Sequence, residues 1–236
     1  MRKTLFITAA NRPGYFREVM NSWRMVRGFY DWKVVIRLEP SDYVPEHLYI
    51  IEELEHEHIQ VIVNPQVYGV LHHPWVGFND LFQFSEFVVR AEDDLLVTDD
   101  ILEYFEWAAE HYRDDQDVAA VIGFTPANLV GGASDIERTQ SFSPWVWGTW
   151  QDRWDEYIRD TWDHDYSTFN ESPGFQAGWD WNLDTRVLPR LGKSCVRPYL
   201  SRVQNIGVHG VHGTPENFVQ AVRWLPHLDS VEYQER

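Results

Sequence analysis

The chain has 236 residues, and 37 acidic against 20 basic side chains give it a net charge of −17 at pH 7. This charge argues against a general affinity for phosphate backbones or anionic membranes, so nucleic acid is a possible but not a favoured partner. The single cysteine, Cys195, excludes an internal disulfide, and the length suffices for one large domain.

The amino-terminal segment has the charge pattern of a signal peptide but lacks its length. Met1, Arg2 and Lys3 precede an apolar run of only about seven residues, and no cleavage site follows. No stretch approaches the roughly 20 apolar residues of a membrane-spanning helix. We therefore interpret residues 4–10 as a first strand and expect a cytoplasmic protein of a bacterial or virus-infected bacterial cell, without a transmembrane segment.

Short β-branched or aromatic runs in the first half predict strands, and amphipathic segments between them predict helices. A helix is predicted behind Pro13, where Phe16, Val19, Met20 and Trp23 recur at helical spacing. Strands that alternate with helices favour an α/β fold whose mainly parallel sheet has helices on both faces. The predicted strands are residues 4–8, 32–38, 59–63, 87–91 and 118–123.

Three further local predictions concern the same half. Thr98 is predicted to cap a helix with Asp99 and Asp100 in its first turn. Residues 52–58 are predicted to form a solvated helix with His56 and His58. His72 and His73 lie beside a proline and are assigned to a loop. The predicted helix after Thr98 has one apolar stripe, formed by Ile101, Phe105, Ala108 and Tyr112.

The carboxyl ends of the predicted strands are where a parallel sheet places its ligands. Residues 9–14, after the first strand, lack the G-x-G-x-x-G spacing of dinucleotide binding, which argues against a dehydrogenase. Glu92, Asp93 and Asp94 follow the fourth strand, where adjacent carboxylates repel one another unless a cation such as Mg²⁺ or Mn²⁺ binds. An acidic helix entry is the alternative.

Four segments in this order resemble the GT-A class of nucleotide-sugar glycosyltransferases, in particular the N-acetylglucosaminyltransferase I-like branch and related small bacterial transferases. An E-D-D segment with its following helix comes first, then W-G-x-x-W, W-D-[WY] and S-x-x-x-N-I-G…H-x-T. The resemblance spans most of residues 4–214, and the fold it implies is GT-A-like. Its segments are residues 91–105, 144–154, 179–181 and 201–214.

The resemblance implies a metal-dependent transfer of a hexosyl or N-acetylhexosaminyl group from a nucleotide donor, a UDP-sugar, to an acceptor hydroxyl with inversion. It makes Asp94 the ligand of Mn²⁺ or Mg²⁺, and it assigns Glu92 and Asp93 to the donor. His212 is the candidate second ligand, with His209 as its rival. We expect a single domain over residues 1–236, in which about 1–127 bind the nucleotide sugar and about 128–236 face the acceptor.

Asp180 is the candidate catalytic base. It lies between Trp179 and Trp181, and burial beside these rings would raise the pKa of its carboxyl group and strengthen it as a base. The alternative is that Asp180 is the N-cap of a helix.

Donor recognition is expected at the first two strand ends. Asn11 and Arg12 would contact the base or the diphosphate, and Glu39 or Asp42 would accept from a uracil imide. The alternatives are a loop salt bridge for Arg12 and ordinary turn chemistry for the two acidic residues.

Tryptophans concentrate in the second half, and their mixed spacing predicts that at least half of them pack in the core. The rest would stack on sugar faces, since indole combines an apolar ring with a polar N–H. Candidates on the acceptor side are Trp145, Trp147 and Trp179.

Three other functions stay open at this point. A modified base in phage DNA is a less favoured acceptor, given the net charge. A sugar nucleotidyltransferase would need a glycine-rich, basic signature after the first strand, which residues 9–14 do not supply. A non-catalytic carbohydrate-binding protein would need neither metal-binding carboxylates nor a base.

Overall fold

The computed structural model describes residues 1–126, 131–164, 178–207 and 231–235. Four helices of nine residues or more lie in these ranges: α1 (Pro13–Trp23), α2 (Val44–Glu52), α3 (Gly69–Leu81) and α4 (Ile101–His111). Shorter helical turns follow one another over Gln151–Arg153, Trp154–Ile158 and Arg159–Thr161, and again over Trp179–Asn182, Leu183–Val187 and Leu188–Leu191. The strands are β1 (Lys3–Ala9), β2 (Lys33–Leu38), β3 (Ile59–Val63), β4 (Phe87–Glu92), β5 (Leu95–Val97), β6 (Val118–Ile122), β7 (Asp135–Thr139), β8 (Trp147–Trp150), β9 (Ser194–Pro198), β10 (Val203–Asn205) and β11 (Gln234–Glu235).

Nine of these strands form one sheet in the order β11-β7-β9-β6-β8-β4-β1-β2-β3. Within the described ranges, five of its eight strand pairings are parallel, and the antiparallel ones involve β8 or the β7–β9 pair. β5 and β10 form a separate antiparallel pair. The α/β fold class and its mostly parallel sheet are confirmed, and the predicted strands agree with the observed ones to within one residue at each end.

The sheet is buried on both faces because alternate residues of its strands meet helices on opposite sides. Leu5 and Ile7 of β1 belong to the cluster that includes the buried face of α1, whereas Phe6 belongs to the cluster on the α3 side. Gly77 lets α3 approach β1 closely, since a Cβ there would fall 2.0 Å from the Phe6 ring. This close packing fixes α3 over the sheet.

Two local secondary-structure predictions are wrong. Residues 52–58 do not continue a helix, because α2 ends at Glu52 and Glu55 has a positive φ of 51°. His56 instead bonds through Nε2 to the Phe29 carbonyl. His72 and His73 lie within α3, not in a loop. Burial of one face of α3 against the sheet outweighs the cost of the internal proline.

The cap predicted at Thr98 is also wrong. α4 begins at Ile101 with Asp100 as its N-cap residue, and the Thr98 hydroxyl donates to the Asp100 carboxylate at 2.6 Å. Asp100 is fully buried and forms an ion pair with Arg202. The ion pair, rather than a cap at Thr98, organises this helix start.

In the described part of the chain, no helix combines the length and the apolar character needed to span a bilayer.

Candidate functional site

The carboxyl ends of β1, β2 and β4 meet at one edge of the sheet. Thr8 lies opposite Glu92, and Ala9 lies opposite Leu38 in the register of these parallel pairs. The residues that follow each strand are therefore neighbours although they are up to 84 residues apart in sequence. This edge is where a doubly wound sheet binds its ligands.

Arg12 joins the two aspartates at this edge. Its Nη1 donates to Asp94 Oδ2 at 2.8 Å, and its Nη2 donates to Asp93 Oδ1 in a shorter contact. The backbone N–H of Ala10 donates to the other oxygen of Asp93 at 3.3 Å. One guanidinium group thus neutralises two buried carboxylates, and the salt bridge considered for Arg12 is formed with the acidic segment itself. Asn11 is exposed beside it.

Asp94 also contacts the second half of the chain. The N–H of Ile206 donates to the Asp94 carbonyl at 2.9 Å, just beyond the pairing of β10 with β5. Gly207 lies against the carboxylate, where an added Cβ would come 2.2 Å from Oδ2. The β5–β10 pair therefore brings the 201–207 segment onto the acidic residues.

The two aspartates have raised pKa values for related reasons. For Asp93 the main cause is burial, which raises the pKa although Arg12 and the Ala10 N–H oppose it. For Asp94, burial and then the negative charge of Glu92 raise the pKa to about 6, against the opposing effect of Arg12. These carboxylates are therefore poised to respond to an added positive charge.

Asp180 lies near the acidic segment. Burial raises the pKa of its carboxyl group, the N–H groups of Trp181 and of Asp180 itself lower it, Glu92 raises it and Arg90 lowers it. Gly178 is the N-cap residue of the short helix Trp179–Asn182, so Asp180 lies in the first turn and is not the cap. The fold thus brings together two carboxylates that are 88 residues apart in sequence.

Glu39 is inside the same edge but is occupied by its own chain. It accepts hydrogen bonds from the N–H groups of Tyr68 and Gly69 and from Nδ2 of Asn64, at 2.8–3.1 Å. His73 Nδ1 is 3.3 Å from its Oε1. Glu39 therefore holds the start of α3 in position. Asp42, the alternative candidate, is exposed.

The three candidate tryptophans differ in burial. Trp145 is half-buried and lies edge-on to Phe124, with ring centroids 4.5 Å apart. Trp147 is fully buried on β8, and Trp179 is 3% exposed and stacks on Trp162 at 4.2 Å. Of the three, Trp145 presents the most ring surface to solvent.

Among the described residues, no group of three or more histidine, cysteine, aspartate or glutamate side chains is arranged to hold a metal ion. The rival candidates His209 and His212 lie outside those residues.

Sequence reasoning missed two residues here, Arg90 and His73. Arg90 is a charged residue in the otherwise apolar run of β4, and this anomaly was the available signal. Burial lowers the pKa of His73 to about 3, with further lowering by Arg90 and Arg37. No sequence pattern indicates that this histidine is buried.

No protein-family model and no curated protein matches this sequence. Solved structures do match the fold. Residues 1–349 of S. aureus TarS in complex with UDP-GlcNAc give a TM-score of 0.59 at 13% identity, covering 94% of this chain. The chain has the GT-A fold.

Two further GT-A structures support this assignment. Mannosyltransferase PcManGT from Pyrobaculum calidifontis, in complex with GDP-Man and Mn²⁺, gives a TM-score of 0.54 at 17% identity over 84% of this chain. GalNAc-T7 with UDP, GalNAc and Mn²⁺ gives 0.58 at 12% identity over 86%. The present chain spans 64%, 54% and 42% of the TarS, PcManGT and GalNAc-T7 chains, respectively.

Proposed function

We propose that this GT-A-fold chain is a metal-dependent glycosyltransferase, which moves a sugar from a nucleotide donor to an acceptor hydroxyl. The observation that supports this best is the meeting of Arg12, Asp93 and Asp94 at the carboxyl edge of β1 and β4, with Asp180 near Glu92. The arrangement combines groups for a diphosphate with a separate half-buried carboxylate for proton transfer.

The donor would lie along the edge formed by Asn11, Arg12, Glu92 and Asp93. A planar guanidinium suits a phosphate because it offers paired N–H donors in a fixed geometry. We assign Glu39 an indirect part, since its oxygens are taken by the 64–69 segment. The UDP and UDP-GlcNAc in the GalNAc-T7 and TarS structures favour a UDP-sugar here.

Asp94 is the residue that would hold Mn²⁺ or Mg²⁺, with His212 as the proposed second ligand. A carboxylate suits these ions as a ligand, since they prefer one or two carboxylates and complete their coordination shell with phosphate oxygens. When bound, the cation would neutralise negative charge on the leaving diphosphate.

Asp180 is the proposed general base. It would accept the proton of the acceptor hydroxyl while the hydroxyl oxygen attacks the anomeric carbon and the bond from that carbon to the nucleoside diphosphate breaks. Its raised pKa strengthens it in this role. One carboxylate acting directly on the acceptor implies inversion. The acceptor, a glycan or another hydroxyl-bearing molecule, would approach from the second half of a single domain, where Trp145 is the most available of the candidate rings.

The sugar transferred would be a hexosyl or an N-acetylhexosaminyl group. The test is transfer and nucleoside diphosphate release by Asp180→Asn, with Asp160→Asn as an exposed control on the same half. We expect Asp180→Asn to bind donor normally and to transfer at least about 100-fold more slowly, as expected for loss of a general base. Full transfer by Asp180→Asn would remove it as the base, and absence of donor binding by the wild type would contradict the function.

A further inference from the structure

Arg90 is a buried cation in the middle of the sheet. It lies on β4 between Phe6 of β1 and Trp147 of β8 in the strand register, and it is 2% exposed. A charge buried there is strongly unfavourable unless hydrogen bonds or an opposite charge compensate it. The contacts of Arg90 should therefore show what compensates its charge.

Three other described arginines are buried. Arg37 donates to the side chains of Asn64 and Asp80. The other two are accounted for by backbone contacts. Arg153 and Arg202 donate to backbone carbonyls, and so satisfy chain segments that would otherwise have unpaired acceptors. Such contacts join loops to the core and need no ligand. The carbonyls are those of Tyr112, Arg113, Asp115 and Val118 for Arg153, and of Ala133 and Leu200 for Arg202.

Arg90 makes a different set of contacts. Its Nη1 donates to Glu92 Oε1 at 2.8 Å, and its Nη2 donates to the Thr8 hydroxyl at 3.5 Å. Among the described residues it donates to no backbone carbonyl, and its Nε has no hydrogen-bond partner. Its guanidinium carbon lies 5.4 Å from the centroid of the Trp179 ring, within cation–π range. Its partners are therefore side chains of the candidate site.

These contacts connect the two halves of the site. Glu92 belongs to the acidic segment, whereas Trp179 immediately precedes Asp180. The carboxylates of Glu92 and Asp180 repel each other, and Arg90 is the positive charge that acts on both. Arg90 therefore contacts the acidic segment through Glu92 and the Trp179–Asn182 turn through the Trp179 ring.

We propose that Arg90 is a positioning residue for glycosyl transfer, which fixes the Glu92 carboxylate and holds the Trp179-Asp180 turn against β4. The inference rests on the proposed function, in which Asp180 acts on the acceptor. Arg90 itself touches no reacting atom.

The test uses Arg90→Met, Arg90→Lys and, as a matched control, Arg153→Met, all in the full chain. Loss of one charge-assisted hydrogen bond corresponds to a change of about 10- to 100-fold in a rate or equilibrium constant. We therefore expect kcat of Arg90→Met to fall by that factor, with the donor KM within about 3-fold of wild type. Arg90→Lys is expected to recover part of kcat, because an ammonium group keeps the charge. Arg153→Met is expected to lower the unfolding temperature but to keep kcat within about 3-fold.

A thermal-unfolding cycle with Glu92→Gln needs no activity. Arg90→Met leaves Glu92 unpaired, so the double variant is expected to unfold at a higher temperature than Arg90→Met alone. Additive effects would overturn the link to Glu92. Should Arg90→Met not fold, Arg90→Gln, which also removes the charge, provides the same comparison with and without Glu92→Gln.

Unchanged kcat in Arg90→Met, or an equal loss in Arg153→Met, would overturn the positioning role. A wild type that transfers sugar from no donor would overturn the proposed function, and the positioning role with it. The unfolding cycle would still decide whether Arg90 anchors Glu92, so the two failures are distinguishable.

Discussion

Gly207 lies so close to Asp94 that a Cβ on the glycine would be 2.2 Å from Asp94 Oδ2 and 3.0 Å from its Cγ. The contact joins the segment after β10 to the acidic segment after β4. Because any larger residue must displace one of the two, position 207 offers a direct way to disturb the carboxylate without changing its charge.

Gly207→Ala is expected to lower sugar transfer at least about 10-fold, since its methyl group displaces the Asp94 carboxylate and a misplaced group costs catalysis steeply. Binding of Mn²⁺, measured by titration, should weaken in parallel. The control is Gly14→Ala on α1, where a Cβ meets nothing within 4 Å. Equal activity in Gly207→Ala and the wild type would contradict the assignment of Asp94.

Arg12→Gln is expected to destabilise the protein by roughly 2–4 kcal/mol, because two buried carboxylates lose their shared partner. Mn²⁺ should raise the unfolding temperature of this variant more than that of the wild type, since the cation would compensate the same charges. Thermal unfolding with and without Mn²⁺ measures both effects.

Arg17→Gln is the matched control for Arg12→Gln. Arg17 lies on α1, which begins directly after Arg12, but its partner Glu53 and its own side chain are exposed. The unfolding temperature of Arg17→Gln should stay close to that of the wild type, and Mn²⁺ should change it by the same amount as in the wild type. An Arg12→Gln variant as stable as wild type would show that the ion pairs do not hold this edge together.

His73 is expected to make stability depend on pH. Burial first, then Arg90 and Arg37, lower its pKa from 6.5 to about 3. Between these values the unfolded chain binds more protons, so the stabilisation is complete above pH 6.5 and is lost as the pH falls. Relative to His73→Gln, wild type should lose about 2 kcal/mol between pH 7 and pH 5.

Urea unfolding of both proteins at pH 7, 6 and 5 measures this difference. His58→Gln changes an exposed histidine and should follow the wild type at each pH. If His73→Gln and wild type changed in parallel, His73 would not be neutral in the folded protein.

Trp147 and Trp145 are expected to respond differently to truncation. Trp147→Ala removes a fully buried ring and should cost about 3–5 kcal/mol of stability. Trp145→Ala should cost less than half as much and should raise the acceptor KM. Chemical unfolding and acceptor kinetics separate the two effects, and an unchanged acceptor KM in Trp145→Ala would remove that residue from the acceptor side.

The sequence predicted those parts of the fold that depend on local patterns. The apolar runs located β1, β2, β3, β4 and β6. The pairing of β1 with β4, which brings residue 12 near residues 93 and 94, was not predicted from the sequence. α3 was missed because Pro74 and two histidines argue for a loop, whereas the helix depends on packing such as Gly77 against Phe6. The local sequence pattern does not reveal that tertiary contact.

The same limit applies to the site. The composition of the 179–181 segment made Asp180 a candidate, but its nearness to Glu92 depends on how the second half folds back over β4. Arg90 was visible as an anomaly in an apolar strand, yet its partners are set by the strand register and by the position of Trp179. The sequence identified the residues that could act at the site, but it did not indicate which distant side chains they contact.

The most direct test of the central claim is donor binding by the wild type and by Asp94→Asn, measured as thermal stabilisation with a panel of nucleotide sugars, with and without Mn²⁺. Because a ligand that binds the native state stabilises it, we expect one donor, a UDP-sugar, to raise the unfolding temperature of the wild type only when Mn²⁺ is present. Asp94→Asn should lose this Mn²⁺-dependent shift. No shift of the wild type with any donor, or the same shift in Asp94→Asn, would contradict the account.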